Sequence, residues 1–248
     1  MTEPTLSETL AIDDDSVVAV VGAGGKKTTL YRLAAETGGV VTATVRIPIF
    51  DEEVERVVVT ADPEAAAAEE ARRPLGLVPE REREDRYLGY DPGVVDALAA
   101  AGVGPLLVKA DGARTRLLKA PNDREPQIPA AATHVLPLAS ARVVGEPLSE
   151  RAVHRPERVS ELAGVEEGEE IRPSHVAAVL GHENGGLKGV PDGARAIPTV
   201  NMVDTPELAD AAREIARGVL DGTTASAVDR VLLTRMTAED PVVDVVMR

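Results

Sequence analysis

Cysteine is absent from this sequence, which excludes a disulfide framework, a thiolate metal site and a cysteine nucleophile. Histidine is scarce, and His134, His154, His175 and His182 lack the spacing of metal ligands. No Ser/His/Asp order stands out for nucleophilic catalysis. No apolar run is long enough to span a bilayer, and the polar, acidic start lacks the positive charge of a signal peptide, so a cytoplasmic protein is expected. A basic excess is missing too: 42 acidic residues against 27 basic ones give a net charge of -15. That field repels nucleic acid and acidic membrane surfaces, so neither is an expected partner and any phosphate site must be local.

Lysine is the scarcest charge, with five lysines against 22 arginines. Together with abundant Ala, Val, Asp and Glu and few aromatics, this is the composition of a salt-adapted protein, because carboxylates keep a surface hydrated where lysine stems add apolar area. The composition points to a halophilic archaeon as the source. Where lysine is avoided, each one kept is a candidate for function: Lys26, Lys27, Lys109, Lys119 and Lys188.

Hydrophobic residues make up 44% of the 248 residues, enough for a sizeable core. Residues 1–15 read as a polar leader and 16–248 as a single domain. Ser16 to Val21 is an apolar run of the kind buried on both faces of a parallel sheet. A helix from Lys27 to Glu36 follows, then strands at 40–45 and 56–60, a helix at 63–73 and a charged excursion at 74–92, possible as a hairpin. Beyond it come a helix at 92–101, a strand at 105–110, a long polar loop at 113–129, a strand at 133–139 and one or two short helices within 149–183. A glycine-rich loop at 182–193, a strand at 196–200, a helix at 205–220 and a strand at 227–234 complete the chain. This alternation predicts an α/β fold with a mostly parallel sheet and helices on both faces.

Between the first strand and its helix lies GAGGKKTT, residues 22–29. Converging backbone N–H groups and a helix N-terminus favour bound phosphate, a lysine there neutralises phosphate charge, and a hydroxyl beside it can ligate magnesium. Gly22, Ala23, Gly24, Gly25, Lys26, Lys27, Thr28 and Thr29 supply these groups. The G-x-x-x-x-G-K-[ST] spacing is not met: if Lys26 is the phosphate lysine, Lys27 stands where the hydroxyl should be, and if Lys27 is, Gly25 is displaced by one. A dinucleotide fingerprint fits less well, since the third glycine is missing and no acid ends the second strand. LLVKADGAR places Asp111 at the end of a second apolar strand, where P-loop proteins hold their magnesium shell, so Thr28 and Asp111 form the expected metal pair. TVNMVDTPE ends a strand in N-x-x-D, so Asn201 and Asp204 could recognise a base, although Thr205-Pro206 also makes a good helix start.

The order of VVGAGGKKTTL, VVTATVRIP, KADGARTRLLKAPNDREPQIP, THVLPLA, GEPLSERAVHRPE, GLKGVP and VNMVDTPE resembles the YqeC family of selenium-dependent hydroxylase accessory proteins, over about residues 16 to 235. The resemblance implies a P-loop NTPase-like protein that binds ATP or GTP with Mg2+. It implies a role in maturing molybdenum hydroxylases, with such a hydroxylase or its cofactor-maturation proteins as partners. It carries Gly22, Gly24, Gly25, Lys26 or Lys27 and Thr28 onto the phosphate loop. Asp111, Gly112, Ala113 and Arg114 match the acidic strand end, and Lys119, Pro121, Glu125 and Pro126 the loop after it. His154 and Arg155 match the V-H-R segment. Lys26, Lys27, Asp111, Arg114, Lys119, His154 and Arg155 are therefore the expected catalytic set. The chain departs in its extra lysine, in Lys109 where the family usually carries glutamate, and in Met202 where a guanine motif would have lysine. A non-hydrolysing chaperone or scaffold and a small-molecule kinase stand as the alternative readings.

Overall fold

The computed structural model describes residues 4–225 and 227–248. Nine strands form the path of the main sheet: β1 (Val17–Gly22), β2 (Val40–Ala43), β3 (Arg56–Val59), β4 (Leu75–Val78), β5 (Leu106–Lys109), β6 (His134–Ser140), β7 (Thr199–Asn201), β8 (Arg230–Thr234) and β9 (Val242–Met247). Their order across the sheet is β9-β8-β7-β6-β1-β5-β2-β4-β3, with all pairs parallel except β8 with β9. A two-residue strand, Arg195–Ala196, also pairs with β6.

β1 lies at the centre because it can be buried on both faces. Val18 and Val20 pack with Leu30 and Leu33 of helix α2 (Lys26–Thr37), joined by Leu6 and Leu10 of the short helix α1 (Leu6–Leu10). The leader is thus docked on the domain, its first turn capped by Thr5. Val17, Ala19 and Val21 face the opposite way, onto Ala67 of α3 (Pro63–Glu69) and Val95 and Leu98 of α4 (Pro92–Ala100). A further cluster gathers α5 (Pro156–Ala163), α6 (Pro173–Gly181) and α7 (Pro206–Gly222) against Val200 and Leu233.

Three segments differ from expectation. Residues 75–78, inside the charged excursion, form the fully buried parallel strand β4, and only the stretch after them makes a hairpin, Arg81–Arg83 with Arg86–Tyr87. That hairpin pairs with Ile47–Pro48, extending the segment that leaves β2. The strand expected at 196–200 is split around Ile197-Pro198, since proline has no N–H for a ladder. The antiparallel edge strand β9 carries a weak alternation that the surrounding charges mask.

Candidate functional site

The carboxyl ends of β1, β5, β6 and β7 meet where the chain from β1 turns into α2. This is the switch point at which open parallel sheets place their ligands. The glycine loop is pressed hard against its neighbours. Gly22 has φ 86°, and a Cβ there would stand 2.3 Å from the Leu138 carbonyl oxygen; Gly25 has φ 124°, and its Cβ would stand 2.2 Å from Asn201 Nδ2. Only glycine fits either place.

This tightness changes what the loop offers. The Gly22 N–H donates to Asp111 Oδ2 (2.8 Å), the Ala23 N–H to the Leu138 carbonyl (2.9 Å) and the Gly24 N–H to the Arg116 carbonyl (3.0 Å). Three amides expected to face phosphate are therefore used inside the protein. Helix α2 has no side-chain cap on Gly25, so the N–H groups of its first turn remain for a ligand, with Lys27 and Thr28 exposed beside them. Thr29 is buried, its hydroxyl turned back onto the Gly25 carbonyl (3.1 Å).

The two lysines divide their roles. Lys26 is 6% exposed, donates to the Gly22 carbonyl and lies 2.9 Å from Asp111 Oδ1. Lys119, also buried, reaches Asp111 Oδ2 at 2.9 Å, Glu125 at 2.7 Å and the Gly112 carbonyl at 2.5 Å. Arg155 closes the row on Glu125 at 2.8 Å. The parallel pairing of Leu118–Lys119 with Val153–His154 aligns these groups. Five side chains thus alternate in charge, and Asp111 and Lys119 lie beneath the cleft rather than on its wall.

Asp111 is therefore placed otherwise than the magnesium assignment expects. A metal ion bound to it would have to displace two ammonium groups from a carboxylate that is 1% exposed, and the exposed Thr28 stands on the cleft wall above it. The Thr28–Asp111 pair does not fit a directly bound magnesium. Among the described residues no group of three or more His, Cys, Asp or Glu side chains is arranged for a metal.

Both residues of the expected base-recognition pair are bonded within the protein. Asn201 is buried under the glycine loop, donating to the Gly24 carbonyl (2.9 Å) and accepting from Thr234 Oγ1 (3.1 Å) and the Met236 N–H (3.2 Å). Asp204 is held by Arg142 (2.8 Å) and stands outside the cleft. Instead, Met202 enters the cleft wall, with φ 60° and its Sδ accepting from the Ser140 hydroxyl.

The cleft has a volume of about 960 Å3. Eight of its lining residues are lysine or arginine and one, Glu125, is acidic, in a chain whose net charge is -15. Lys27, Arg114 and Arg116 stand around the start of α2, while Arg46, Arg86 and Lys109 stand toward β2. Arg114 and Thr115 both have positive φ (48° and 60°), so the turn after Asp111 holds a strained backbone over the cleft. Arg46, Arg86 and Arg116 were not singled out from the sequence, since nothing distinguishes three arginines among 22.

The YqeC protein family model matches residues 18–157, more than half of the chain. The chain belongs to the YqeC family. It is 28% identical over 207 residues to the uncharacterized protein YqeC of Escherichia coli (strain K12), an alignment covering 81% of each chain. No solved structure matches. The YqeC match takes in the glycine loop, Asp111, Lys119, His154 and Arg155, and stops before Asn201.

The charges of this YqeC cleft are tuned by burial. Burial alone pushes the Asp111 carboxyl up, but Lys26, Lys119 and the Gly22 N–H outweigh it and hold the group below the usual carboxylate range. Burial lowers Lys26 against the pull of Asp111. His154, half-buried beside Arg155 and Lys119, is pushed down to about 4, first by burial and then by those cations. Lys109 is brought to about 7 by burial and by the neighbouring Lys26. Its ammonium donates to the Arg46 carbonyl (2.7 Å) and has no carboxylate within ion-pair distance among the described residues. The last lysine, Lys188, ties the glycine-rich loop to the Asn122 carbonyl (2.7 Å).

No helix of the described residues is long and apolar enough to cross a membrane.

Proposed function

We propose that this YqeC family member binds a nucleoside triphosphate, ATP or GTP, in the cationic cleft, and that it serves the maturation of selenium-dependent molybdenum hydroxylases. The observation that carries the binding reading is the grouping of Lys27, Arg114 and Arg116 around an uncapped helix start in an otherwise acidic chain. Such a local field draws a polyanion against the net charge. The first-turn amides of α2, Lys27 and Thr28 would take the phosphates, with Arg114 and Arg116 closing from the turn above. Lys26, Asp111, Lys119, Glu125 and Arg155 act below them as the rigid charged row that holds the loop and the turn in place. The hydroxylase role rests on the family resemblance.

Val45, Pro48, Leu117 and Met202 give the cleft apolar walls for a base or sugar, with no polar pair set to distinguish adenine from guanine. ATP and GTP are therefore expected to bind with similar strength.

A second reading, a scaffold that binds nucleotide without hydrolysing it, is favoured by one observation. The only carboxylate lining the cleft among the described residues, Glu125, is already held by Lys119 and Arg155, which leaves it a poor base for activating water. Calorimetric titration of ATP and GTP, with and without magnesium, in concentrated potassium chloride tests the binding reading. Micromolar binding of both supports it, and no binding of either overturns it. Phosphate release under the same conditions separates the hydrolase from the scaffold.

A further inference from the structure

The cleft is longer than its glycine loop. Its lining runs from Met202 after β7, past the start of α2, to Lys109 at the end of β5 and Val45 and Arg46 after β2. β7 and β2 are four strand spacings apart, about 19 Å at the usual interstrand distance. The part around β5 and β2 has its own charge, from Lys109, Arg46 and Arg86. Lys109 comes from a central strand and is 94% buried at the cleft wall. Arg46 follows β2, and Arg86 comes from the hairpin paired with Ile47–Pro48.

The partners of Lys109 and Arg86 are incomplete. Lys109 makes one hydrogen bond, to the Arg46 carbonyl, and an ammonium has three N–H groups. Among the described residues Arg86 Nε is buried with no hydrogen-bond partner, and its guanidinium makes one ion pair, with Asp85 at 3.4 Å through Nη2. Arg46, with a side chain 61% exposed, is held bidentately by Glu82, with Nε at 2.8 Å and Nη2 at 2.7 Å. The buried Lys109 ammonium is costly unless acceptors meet its remaining N–H groups, while Arg86, with a side chain 41% exposed, leaves one N–H unmet beside the same cavity.

We propose that the β5–β2 part of the cleft is a second anion subsite, formed by Lys109 and Arg86 with Arg46 at its edge, which holds the phosphate group of a small phosphorylated acceptor molecule. The inference rests on the nucleotide reading of the glycine-loop part, because it makes the cleft a two-substrate site. A phosphate dianion suits the subsite better than a single carboxylate, since its oxygens can meet an ammonium and a guanidinium at once while one negative charge would leave a cation unmatched.

The test is calorimetric titration of inorganic phosphate into protein already saturated with a non-hydrolysable ATP analogue. The wild-type chain, Lys109→Met, Arg86→Gln and Lys27→Ala are compared. Phosphate is expected to bind the saturated wild-type protein, and to bind Lys109→Met and Arg86→Gln at least about tenfold more weakly. Unchanged analogue affinity in those two variants shows that they are folded. Lys27→Ala should reverse the pattern, losing analogue and keeping phosphate. Absence of phosphate binding to the saturated wild type, or binding to Lys109→Met that equals wild type, overturns the subsite. If the analogue itself fails to bind, the nucleotide reading falls instead. Phosphate titrated into the bare wild-type and Lys109→Met proteins then still decides the subsite, which is sustained by a loss in the variant and overturned by equal binding.

Discussion

Lys26 Nζ lies 2.9 Å from Asp111 Oδ1, and both side chains are all but buried, at 6% and 1% exposure. The lysine that the motif offers to a phosphate is thus committed to the strand end, and its neighbour Lys27 faces the cleft.

This division can be separated by single substitutions. Lys26→Ala leaves a buried carboxylate with Lys119 as its remaining ammonium, and the expected cost is about 3–5 kcal/mol of folding stability. Lys27→Ala removes an exposed cation, and stability should stay within about 0.5 kcal/mol while triphosphate affinity falls. Denaturant unfolding and nucleotide titration of the two variants check this. Equal stability of both would show that the Lys26–Asp111 pair does not hold the loop.

Asn201 and Asp204 should part company in the same way. Asn201→Ala removes one donor and one acceptor that together join the glycine loop to β8 and the turn after it, and about 2–3 kcal/mol of stability should go with them. Asp204→Ala breaks an ion pair with a half-exposed arginine, and a change below about 1 kcal/mol is expected. Neither should alter the ratio of ATP to GTP affinity. A shift of that ratio in Asp204→Ala would restore the base-recognition reading.

Stability should vary with pH in two windows. His154 titrates near 4 when folded, below its ordinary 6.5, so the unfolded chain binds more protons between those values and stability falls as pH drops from 6.5 to 4. Lys109 titrates near 7 when folded against 10.5 ordinarily, so stability rises as pH increases from 7 toward 10.5. Lys26, lowered in the same direction, adds to the alkaline slope. Tm measured across both windows should lose part of the alkaline rise in Lys109→Met and keep the acid fall. An unchanged alkaline profile in that variant would mean that Lys109 is not a buried cation.

Salt supplies the fourth check. With 42 acidic residues against 27 basic ones, carboxylate repulsion opposes the compact state and is screened only when the Debye length shrinks to about 3 Å near 1 M salt. Tm is expected to climb with potassium chloride into the molar range. A Tm that is flat or falling over that range would count against a salt-adapted protein.

Much of the fold could be read from local pattern. The run from Val17 to Val21 is apolar without alternation because β1 is covered on both faces, and the stretch before Asp111 reads the same way for the same reason. β4 was hidden because its four residues sit between a proline and a charged hairpin, and only pairing with β2 and β3 makes them a strand.

By itself, then, the sequence determined the alternating α/β order, the glycine turn at the end of β1, the acid at the end of β5 and the local need for cations in an acidic chain. These follow from neighbours along the chain. That Lys26 is paired with Asp111 while Lys27 is left exposed, that two lysines hold Asp111, and that Asn201 holds the glycine loop were decided only by the tertiary structure. The amides of Gly22, Ala23 and Gly24 are taken up by Asp111, Leu138 and Arg116, and Arg46 and Arg86 enter the cleft through a pairing between Ile47–Pro48 and Arg86–Tyr87. Contacts between segments so far apart in the chain leave no local periodicity to read.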